Sequence, residues 1–223
     1  MKAYFAEFIG TFMLMLAGTG AIIVNDLYGG NVTHVGVSLV FGLMVLVLLY
    51  TLGDVSGAHL NPAVSVRFWF AKRFSGRQVL PYIVAQISGA LAASVSLKLL
   101  FPQHQNLGAT IPAGSLAQSF VMEIILTFFL MFVIVNVSVG AKEKGLMAGV
   151  AVAAMIGLGA MFAGQVSGAS MNPARSIAPA IVSGRVSELW IYIFAPIVGA
   201  ILGVLGCRCA QPVGCCAKLS EEC

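Results

Sequence analysis

The chain has 223 residues, of which 59% are hydrophobic and only 9% are charged, and its mean hydropathy is +0.98. A soluble domain carries about 25% charged residues, so this chain has too little polar surface to enclose itself in water and must face lipid. Its net charge of +4 is small and scattered, without the basic block that binds nucleic acid. We therefore predict an integral membrane protein that contacts lipid and does not bind nucleic acid.

Six apolar stretches are long enough to cross a bilayer, which takes about 20 apolar residues per helix. The first follows Met1–Lys2 directly and has no small-residue cleavage site, so we interpret it as a span and not as a removed signal peptide. Two further stretches, 61–71 and 172–182, are too short to span, because at about 1.5 Å per residue each covers about half of the hydrocarbon core. The six predicted spans are 4–24, 35–52, 79–100, 116–139, 145–163 and 189–207.

Lysine and arginine are concentrated in alternate loops, which sets the predicted orientation. The loops 25–34 and 101–115 contain neither residue, and Arg185 is the main exception on their side. The side that carries the positive charges should be cytoplasmic, so we expect a multi-pass protein of the plasma membrane with both termini inside. The residues on that side are Lys2, Lys72, Arg73, Arg77, Lys142, Lys144, Arg208 and Lys218.

Three blocks of the first half recur in the second half in the same order. The block that begins at Val55 shares eight of eleven residues with the block that begins at Val166, 111 positions later. The other two blocks repeat at nearly the same spacing, around Glu7 and Glu123 and from Tyr82 and Tyr192. This order indicates an internal duplication, with one repeat at about 3–100 and the other at about 116–206.

Each repeat contains three predicted spans, an odd number, so the second repeat must enter the membrane from the opposite side. Inverted repeats of this kind place their functional site near the midplane, where discontinuous helices meet. We therefore predict an all-α membrane protein with six transmembrane helices plus two re-entrant half-helices, arranged as inverted three-helix repeats.

The short stretches both begin with Asn-Pro-Ala, which is typical of a helix start because asparagine is a favoured N-cap and proline a favoured first residue. Taken singly, each box predicts an ordinary capped helix. Because both starts fall at the inner ends of short segments in matching repeats, we expect them to face each other at the midplane. Each N-terminus carries about half a positive charge, which repels cations and protons, and the asparagine N–H groups would donate to a passing water or hydroxyl. The predicted pore motifs are Asn61, Pro62 and Ala63, and Asn172, Pro173 and Ala174.

The segments before these starts are rich in small residues, and we expect them to be extended. Irregular backbone is tolerated at membrane depth only where it lines a cavity or is buried in protein. Their carbonyl groups would then form a row of acceptors along one pore wall, with the other walls apolar. Such a pore suits solutes that both donate and accept hydrogen bonds. The predicted carbonyls belong to Gly57, Ala58 and His59, and to Gly168, Ala169 and Ser170; for His59 a gating imidazole is the alternative.

Two Asn-Pro-Ala boxes, the second followed by Arg175, within a six-span inverted repeat resemble the major intrinsic protein family of aquaporins and aquaglyceroporins. The resemblance covers about residues 2–208. The stretch 168–176, together with Tyr192-Ile193, is most similar to the nodulin-type branch, which includes glycerol and metalloid channels. The resemblance implies a passive channel for small uncharged solutes, assembled as a homotetramer with one pore per subunit. It implies no cofactor, no metal and no enzymatic activity.

The resemblance also implies a constriction outside the midplane formed by Phe41, Ala160, Ala169 and Arg175. Strict water channels generally have a histidine at the position of Ala160. Two alanines therefore imply a wide opening for glycerol-sized polyols and for arsenous or boric acid, with water also passing. Ser176 and Ala180 indicate the opposite, because glycerol facilitators of the family typically carry an aspartate and a basic residue there. A water-selective channel is the alternative.

Charged residues at membrane depth are costly and usually face a cavity. Arg175 has an apolar repeat partner, Val64, so the duplication does not require its charge, and we interpret it as a filter residue and not as one that snorkels to the lipid surface. For Glu7 and Glu123, at matching repeat positions, we favour structural acceptance of hydrogen bonds from the re-entrant loops over a proton relay. Asp54 stands where relatives commonly have histidine, and the sequence assigns it no consequence.

All five cysteines lie after residue 206, and we predict a single channel domain at 1–206 followed by a cytoplasmic cysteine-rich tail at 207–223. A reducing cytoplasm makes disulfides unexpected there. Thiolate binding of a metal or arsenite, a lipid-anchored tail and a functionally neutral tail are the readings left open. The cysteines are Cys207, Cys209, Cys215, Cys216 and Cys223.

Three other classes of protein compete with a channel. An enzyme needs a nucleophile or base with partners, and the predicted spans contain no paired carboxylates, Ser/His/Asp set or metal-ligand spacing. A secondary transporter would share the inverted repeats but usually has ion-coupling carboxylates at the midplane. A junction-forming structural protein of the same fold is the alternative from another class. The sequence identifies neither the physiological solute nor any gating.

Overall fold

The computed structural model describes residues 1–138 and 142–210, and within these ranges the chain forms eight helices and no strand. Six of them are long and apolar enough to cross a membrane. This confirms the predicted all-α fold with six spanning helices and two half-length helices. The helices are α1 (Lys2–Leu27), α2 (Thr33–Ser56), α3 (Pro62–Phe70), α4 (Gly76–Leu100), α5 (Leu116–Val137), α6 (Lys142–Ser167), α7 (Pro173–Ser183) and α8 (Leu189–Ala210).

The spanning helices alternate in direction, which defines two faces of the molecule. We call the face on which α1 begins the N-terminal face; α2 ends there at Ser56 and α4 begins there at Gly76. The opposite face carries the connections 28–32, 101–115 and 184–188. The half-helices α3 and α7, of 9 and 11 residues, both begin in the interior and end at different faces. They therefore approach each other from the two sides of the membrane.

The helices of the two repeats pack in equivalent pairs, α1 against α4 and α5 against α8. Glycine makes both contacts close: a Cβ added at Gly89 of α4 would overlap the Phe8 carbonyl of α1, and one added at Gly199 of α8 would overlap the Ile124 carbonyl of α5. Lipid tails are as apolar as the helix surface, so no hydrophobic effect drives helices together in a membrane. Small residues that let the backbones approach closely are therefore the usual means of helix packing there. The α2–α6 contact then joins the two repeats.

Helix ends differ from the predicted spans by a few residues, most visibly in α6, which continues to Ser167 and not to residue 163. The last turn is held from outside the helix: the Ala113 N–H donates to the Val166 carbonyl at 3.0 Å, and the His34 ring lies 2.8 Å from the Met161 carbonyl. Polar neighbours thus stabilise a helical turn that hydropathy alone does not mark.

The predicted boundary of the cysteine-rich tail falls inside α8, which continues to Ala210. Cys209 is exposed and free, whereas Cys207 is buried and disulfide-bonded. The expectation of no disulfide is therefore not met at Cys207, whose side chain packs against Val135 and Phe132. Three predicted tail residues, Cys215, Cys216 and Cys223, lie outside the described residues.

Candidate functional site

The two half-helices begin with the same capping geometry. Asn61 and Asn172 have extended backbone, at φ −157° and −151°, and proline follows each at the first helical position. The Asn61 side-chain oxygen accepts from the Ala63 N–H at 2.9 Å, and that of Asn172 accepts from the Ala174 N–H at 3.0 Å. Each cap leaves the other N–H groups of its first turn directed out of the helix end, toward the centre of the molecule.

The same two asparagines connect the re-entrant loops to each other. Asn61 Nδ2 donates to the Met171 carbonyl at 2.8 Å, and Asn172 Nδ2 donates to the Leu60 carbonyl at 2.9 Å. The sequence predicts these N–H groups as donors directed into the pore; the structure uses one N–H of each amide to join the loops. An asparagine amide carries two N–H donors, so each side chain keeps a second one, and both residues line the central cavity.

The sequence predicts extended backbone ahead of the caps, and this prediction is wrong. In the structure the backbone instead enters the left-handed region of φ at several residues. Gly57, Ala58 and Leu60 have φ values of +80°, +44° and +51°. The second repeat matches them residue by residue, with Gly168, Ala169 and Met171 at +86°, +41° and +52°. Left-handed non-glycine residues cost about 1–3 kcal/mol each and persist only where the surroundings enforce them.

Glu7 of α1 enforces the first re-entrant loop. One carboxylate oxygen accepts from Ser56 Oγ at 2.7 Å and from the His59 N–H at 2.9 Å. The other accepts from the Leu60 N–H at 2.7 Å and from Gln86 Nε2 at 2.7 Å. The side chain is fully buried, so these four donors take the place of water around the carboxylate.

Glu123 of α5 makes the equivalent set in the second repeat. It accepts from Ser167 Oγ at 2.7 Å and from the backbone N–H groups of Ser170 and Met171, both at 2.8 Å. Both carboxylates thus bind the backbone just before an Asn-Pro-Ala box. This geometry fits a structural acceptor and gives neither carboxylate a place on the wall of the central cavity.

Two tyrosines complete the symmetry and were not predicted as site residues. The Tyr82 hydroxyl donates to the Ser56 carbonyl at 2.9 Å, and the Tyr192 hydroxyl donates to the Ser167 carbonyl at 2.6 Å. Each bond anchors the last residue of a spanning helix where a re-entrant loop begins. Their recurrence as repeat partners is the sequence signal that marks them.

Replacing Glu123 by glutamine should destabilise the protein, because the new NH2 group would face the Met171 N–H donor where the carboxylate now accepts. A buried donor left without its acceptor costs about 1–3 kcal/mol. We expect a lower midpoint of thermal unfolding in detergent than in the wild type. Glu188→Gln is the matched control, since the Glu188 carboxylate accepts only from Ser187 Oγ among the described hydrogen bonds and lies near the surface. Equal midpoints for both variants would contradict the structural role.

The His59 ring is packed and not free at the pore wall. It stacks on Phe68 with centroids 4.9 Å apart, and it contacts Phe74 and Tyr82 edge-on or tilted at 4.8 Å and 5.2 Å. Its Nδ1 lies 3.0 Å from Ser65 Oγ. The residue still lines the cavity, at the end nearer the N-terminal face. The packing holds the ring in one orientation beside the cavity, which gives no support to the alternative of a freely swinging, gating imidazole.

The four residues predicted for the constriction lie around one end of the cavity. The Arg175 guanidinium is only 4% exposed; its Cζ stands 5.2 Å from the centre of the Phe41 ring, and its Nη1 donates to the Gly108 carbonyl at 2.8 Å. Ala160 and Ala169 contribute methyl groups to the same wall. This end of the cavity is thus lined by the Arg175 guanidinium, the face of the Phe41 ring and two alanine methyl groups.

A single cavity of about 470 Å³ joins these parts. It extends from Asp54 and Val137 at the N-terminal face, past both asparagines, to Phe41 and Arg175. Five of the six residues predicted to offer carbonyls line it; Gly168 does not, because it packs against Thr110 instead. The apolar lining residues include Leu14, Val45, Leu49, Val64, Phe68, Leu130, Ile134, Val152 and Ile156.

Two residues that the sequence does not predict as site residues contact the predicted constriction. Gly108 supplies the carbonyl that holds Arg175, and it lies in a connection without periodicity or motif. Gly18 of α1 makes room for Phe41, since a Cβ there would overlap the ring. A glycine inside a long apolar helix is the signal that could have drawn attention to position 18.

A bundle of six spanning helices around a cavity lined by a row of fixed hydrogen-bonding groups and apolar walls, with two helix ends at its centre, defines a membrane channel. The chain belongs to the major intrinsic protein family: the family model described as Major intrinsic protein matches residues 1–206.

Similar proteins agree with this assignment. The chain is 49% identical to Aquaporin NIP1-1 of Zea mays over 199 residues, which are 89% of this chain and 71% of that protein. It is 46% identical to Nodulin-26 of Glycine max, over 89% of this chain and 73% of the relative. The X-ray structure of the aquaglyceroporin from Plasmodium falciparum superposes with a TM-score of 0.79 at 26% identity, covering 93% of both chains. This protein is a channel for water and small neutral solutes.

Proposed function

We propose that the channel conducts glycerol and neutral metalloid hydroxides such as arsenous or boric acid together with water, and that it excludes protons and ions. The observation that carries this proposal is the composition of the constriction. Ala160 and Ala169 leave space where a larger side chain would narrow the opening, and both line the cavity beside Phe41 and Arg175. The aromatic face accommodates the carbon skeleton of a polyol, and the guanidinium donates to its hydroxyls.

The geometry at the centre supports exclusion of protons. The N-termini of α3 and α7 both point into the interior, and each carries about half a positive charge. The asparagine caps fix N–H donors there, so a water molecule at this point accepts hydrogen bonds from the protein. The adjacent water molecules on either side are then oriented away from it. A proton or cation would approach two positive helix ends and the Arg175 guanidinium. The buried Glu7 and Glu123 carboxylates bind the loop backbone and do not line the cavity, and Asp54 lies at its N-terminal end.

The alternative of a water-selective channel rests on Ser176 and Ala180. Ser176 is fully buried and bonds to Thr110 Oγ1 at 2.8 Å and to Ser170 Oγ at 2.7 Å. Neither Ser176 nor Ala180 lines the cavity. These two positions therefore act on the packing of α7 and not directly on the width of the opening, which supports the wider solute range.

Assembly and placement extend the proposal. We infer a homotetramer with one pore per subunit, in the plasma membrane, with both termini cytoplasmic and no enzymatic activity. Large apolar side chains cover the outer surfaces of the spanning helices, for example Leu43 at 57% and Phe162 at 69% exposure. Such surfaces suit contact with lipid or with neighbouring subunits. Cross-linking in native membranes would test the tetramer.

A solute panel in proteoliposomes tests the proposed function. Stopped-flow light scattering should show rapid, non-saturating permeation of water, glycerol, arsenous acid and boric acid, and a proton gradient imposed across the same vesicles should persist. Saturating uptake would indicate a transporter. Water flux without glycerol flux would establish the water-selective alternative, and no flux in a well-folded preparation would favour a junction-type structural protein. A proton leak blocked by a pore inhibitor would overturn the proposed exclusion.

Replacing Gly18 by alanine should narrow the constriction from behind, because the added methyl group would overlap the Phe41 ring and drive it toward the cavity. We expect glycerol permeability to fall about tenfold, by analogy with size discrimination in enzyme pockets, and water permeability to fall much less. Gly53→Ala is the control, since an added Cβ there meets no atom within 4 Å. Unchanged glycerol flux in a folded Gly18→Ala variant would show that the ring does not limit passage.

A further inference from the structure

The connection 101–115 on the opposite face reaches the constriction through one carbonyl. The Gly108 oxygen accepts from Arg175 Nη1 at 2.8 Å. Leu107 and Gly108 both lie in the left-handed region, at φ +50° and +68°. Leu107 is fully buried against Ile23 and Leu97. The position of this acceptor therefore depends on a strained turn held by its neighbours.

One side chain holds that turn by a hydrogen bond. His104 is 8% exposed, and its Nδ1 accepts from the Leu107 N–H at 2.9 Å. Because Nδ1 accepts here, the ring proton belongs on Nε2. Nε2 in turn lies 3.1 Å from an Asp26 carboxylate oxygen at the end of α1. The result is a chain of contacts from Asp26 through His104, Leu107 and Gly108 to the filter arginine.

We propose that His104 is a positioning residue for the solute constriction: fixed by Asp26, it holds the Leu107–Gly108 turn and so sets where the Arg175 guanidinium stands. This rests on the proposed role of Arg175 in the constriction. Arg175 is the side chain that donates to passing hydroxyls, so a shift of the Gly108 carbonyl changes the width and the donor geometry together. Such a change alters the permeability to larger solutes more than the permeability to water.

Protonation of His104 would break the contact with Leu107, so a change of pH on the opposite face probes this contact directly. Imidazole is the side chain that ordinarily changes charge between pH 5 and 8. In the imidazolium form both ring nitrogens are donors, so Nδ1 no longer accepts from Leu107 and the turn loses its anchor. The charged groups around the turn are Asp26 on α1, Lys98 on α4, whose Nζ donates to the Pro102 carbonyl at 3.2 Å, and Arg175 on α7. Asp26 faces Nε2, which donates in both forms of the ring, so loss of the Nδ1 contact would release the turn and not the histidine.

The test measures glycerol and water permeability in proteoliposomes from external pH 5 to pH 8, for channels inserted with the opposite face outward. For the wild type we expect the glycerol-to-water ratio to change as the pH falls through this range. His104→Ala removes the acceptor and should shift the ratio at neutral pH by about three- to tenfold, the effect of one lost hydrogen bond. His104→Asn supplies an uncharged oxygen within reach of Leu107. It should keep the wild-type ratio at neutral pH and lose the dependence on pH.

Two further variants separate positioning from general damage. His34→Gln alters another histidine of the same face, which bonds to the Met161 carbonyl, and should keep the wild-type pH profile. Asp26→Asn weakens the contact that fixes the ring and should shift the glycerol-to-water ratio in the same direction as His104→Ala, by a smaller factor, without abolishing flux. A wild-type ratio that does not vary with pH, or a His104→Asn profile that still does, overturns the inference. If Ala160→His changes selectivity while the His104 variants do not, this inference fails alone. If Ala160→His has no effect, the constriction proposal itself fails.

Discussion

Replacing Arg175 by valine should raise the permeability to protons and small cations about a hundredfold while water continues to pass. The residue takes the apolar side chain that its repeat partner, Val64, already has. A unit charge about 5 Å from a passing cation contributes about 3 kcal/mol of repulsion at the effective dielectric constant of a protein site, and removing it lowers the barrier by that amount. The paired helix ends at Asn61 and Asn172 still oppose cations, so the variant should leak and not become an open cation pore.

The structure offers two controls for this substitution. Arg185→Val removes an exposed arginine at the end of α7 and should leave the proton barrier intact, because its side chain is not part of the central cavity. Arg175→Lys keeps the charge but loses the planar fork that bonds to the Gly108 carbonyl, so it should still exclude ions while its solute selectivity changes. Proton entry is read from a pH-sensitive dye trapped inside the vesicles. An Arg175→Val channel that folds, conducts water and stays tight to protons would remove Arg175 from the electrostatic filter.

The sequence predicts the scaffold well because the signals for it are local. Long apolar runs mark the six spanning helices, and Asn61-Pro62 and Asn172-Pro173 mark two helix starts by capping chemistry that depends on adjacent residues alone. The duplication then orients the two halves relative to each other. It also pairs Glu7 with Glu123, which is why a shared structural task for both carboxylates could be anticipated without the structure.

The parts that the sequence misses depend on contacts between distant segments. Ala58 and Leu60 are ordinary residues, and only the buried carboxylate of Glu7 explains why their backbone is left-handed. The Gly108 carbonyl acquires its role from a connection that has no repeat partner and no periodicity. The second use of the Asn61 amide, a bond to the opposite loop, requires knowing how closely the two loops meet.

The width of the constriction links these features to selectivity. Phe41 stands where it does because Gly18 leaves space behind it, and Arg175 because Gly108 offers an acceptor beside it. Neither of these supports carries a side chain into the cavity. If the proposed constriction selects solutes, its selectivity depends on these two glycines as well as on the four residues that line it.

Replacing Ala160 by histidine should suppress glycerol and arsenous acid flux far more than water flux. The alanine is 8% exposed and lines the cavity beside Phe41 and Arg175, so an imidazole there adds bulk and a hydrogen-bonding group to the proposed constriction. A one-residue change in a binding pocket discriminates by about 1–3 kcal/mol, or about 10–200-fold, and we expect the glycerol-to-water ratio to fall within that range. Ala160→Ser adds one oxygen atom with little volume and should leave the ratio close to that of the wild type.

The comparison distinguishes a narrowed filter from a damaged one because water and glycerol are measured in the same vesicles. A filter effect lowers the larger solute selectively, whereas misfolding around α6 lowers both fluxes in proportion and reduces the yield of assembled protein. Proportional loss in a well-assembled Ala160→His channel would place the selective step elsewhere in the cavity. A wild-type channel that carries water but no glycerol would contradict the wide constriction directly, since Ala160 and Ala169 would then leave space that no larger solute uses.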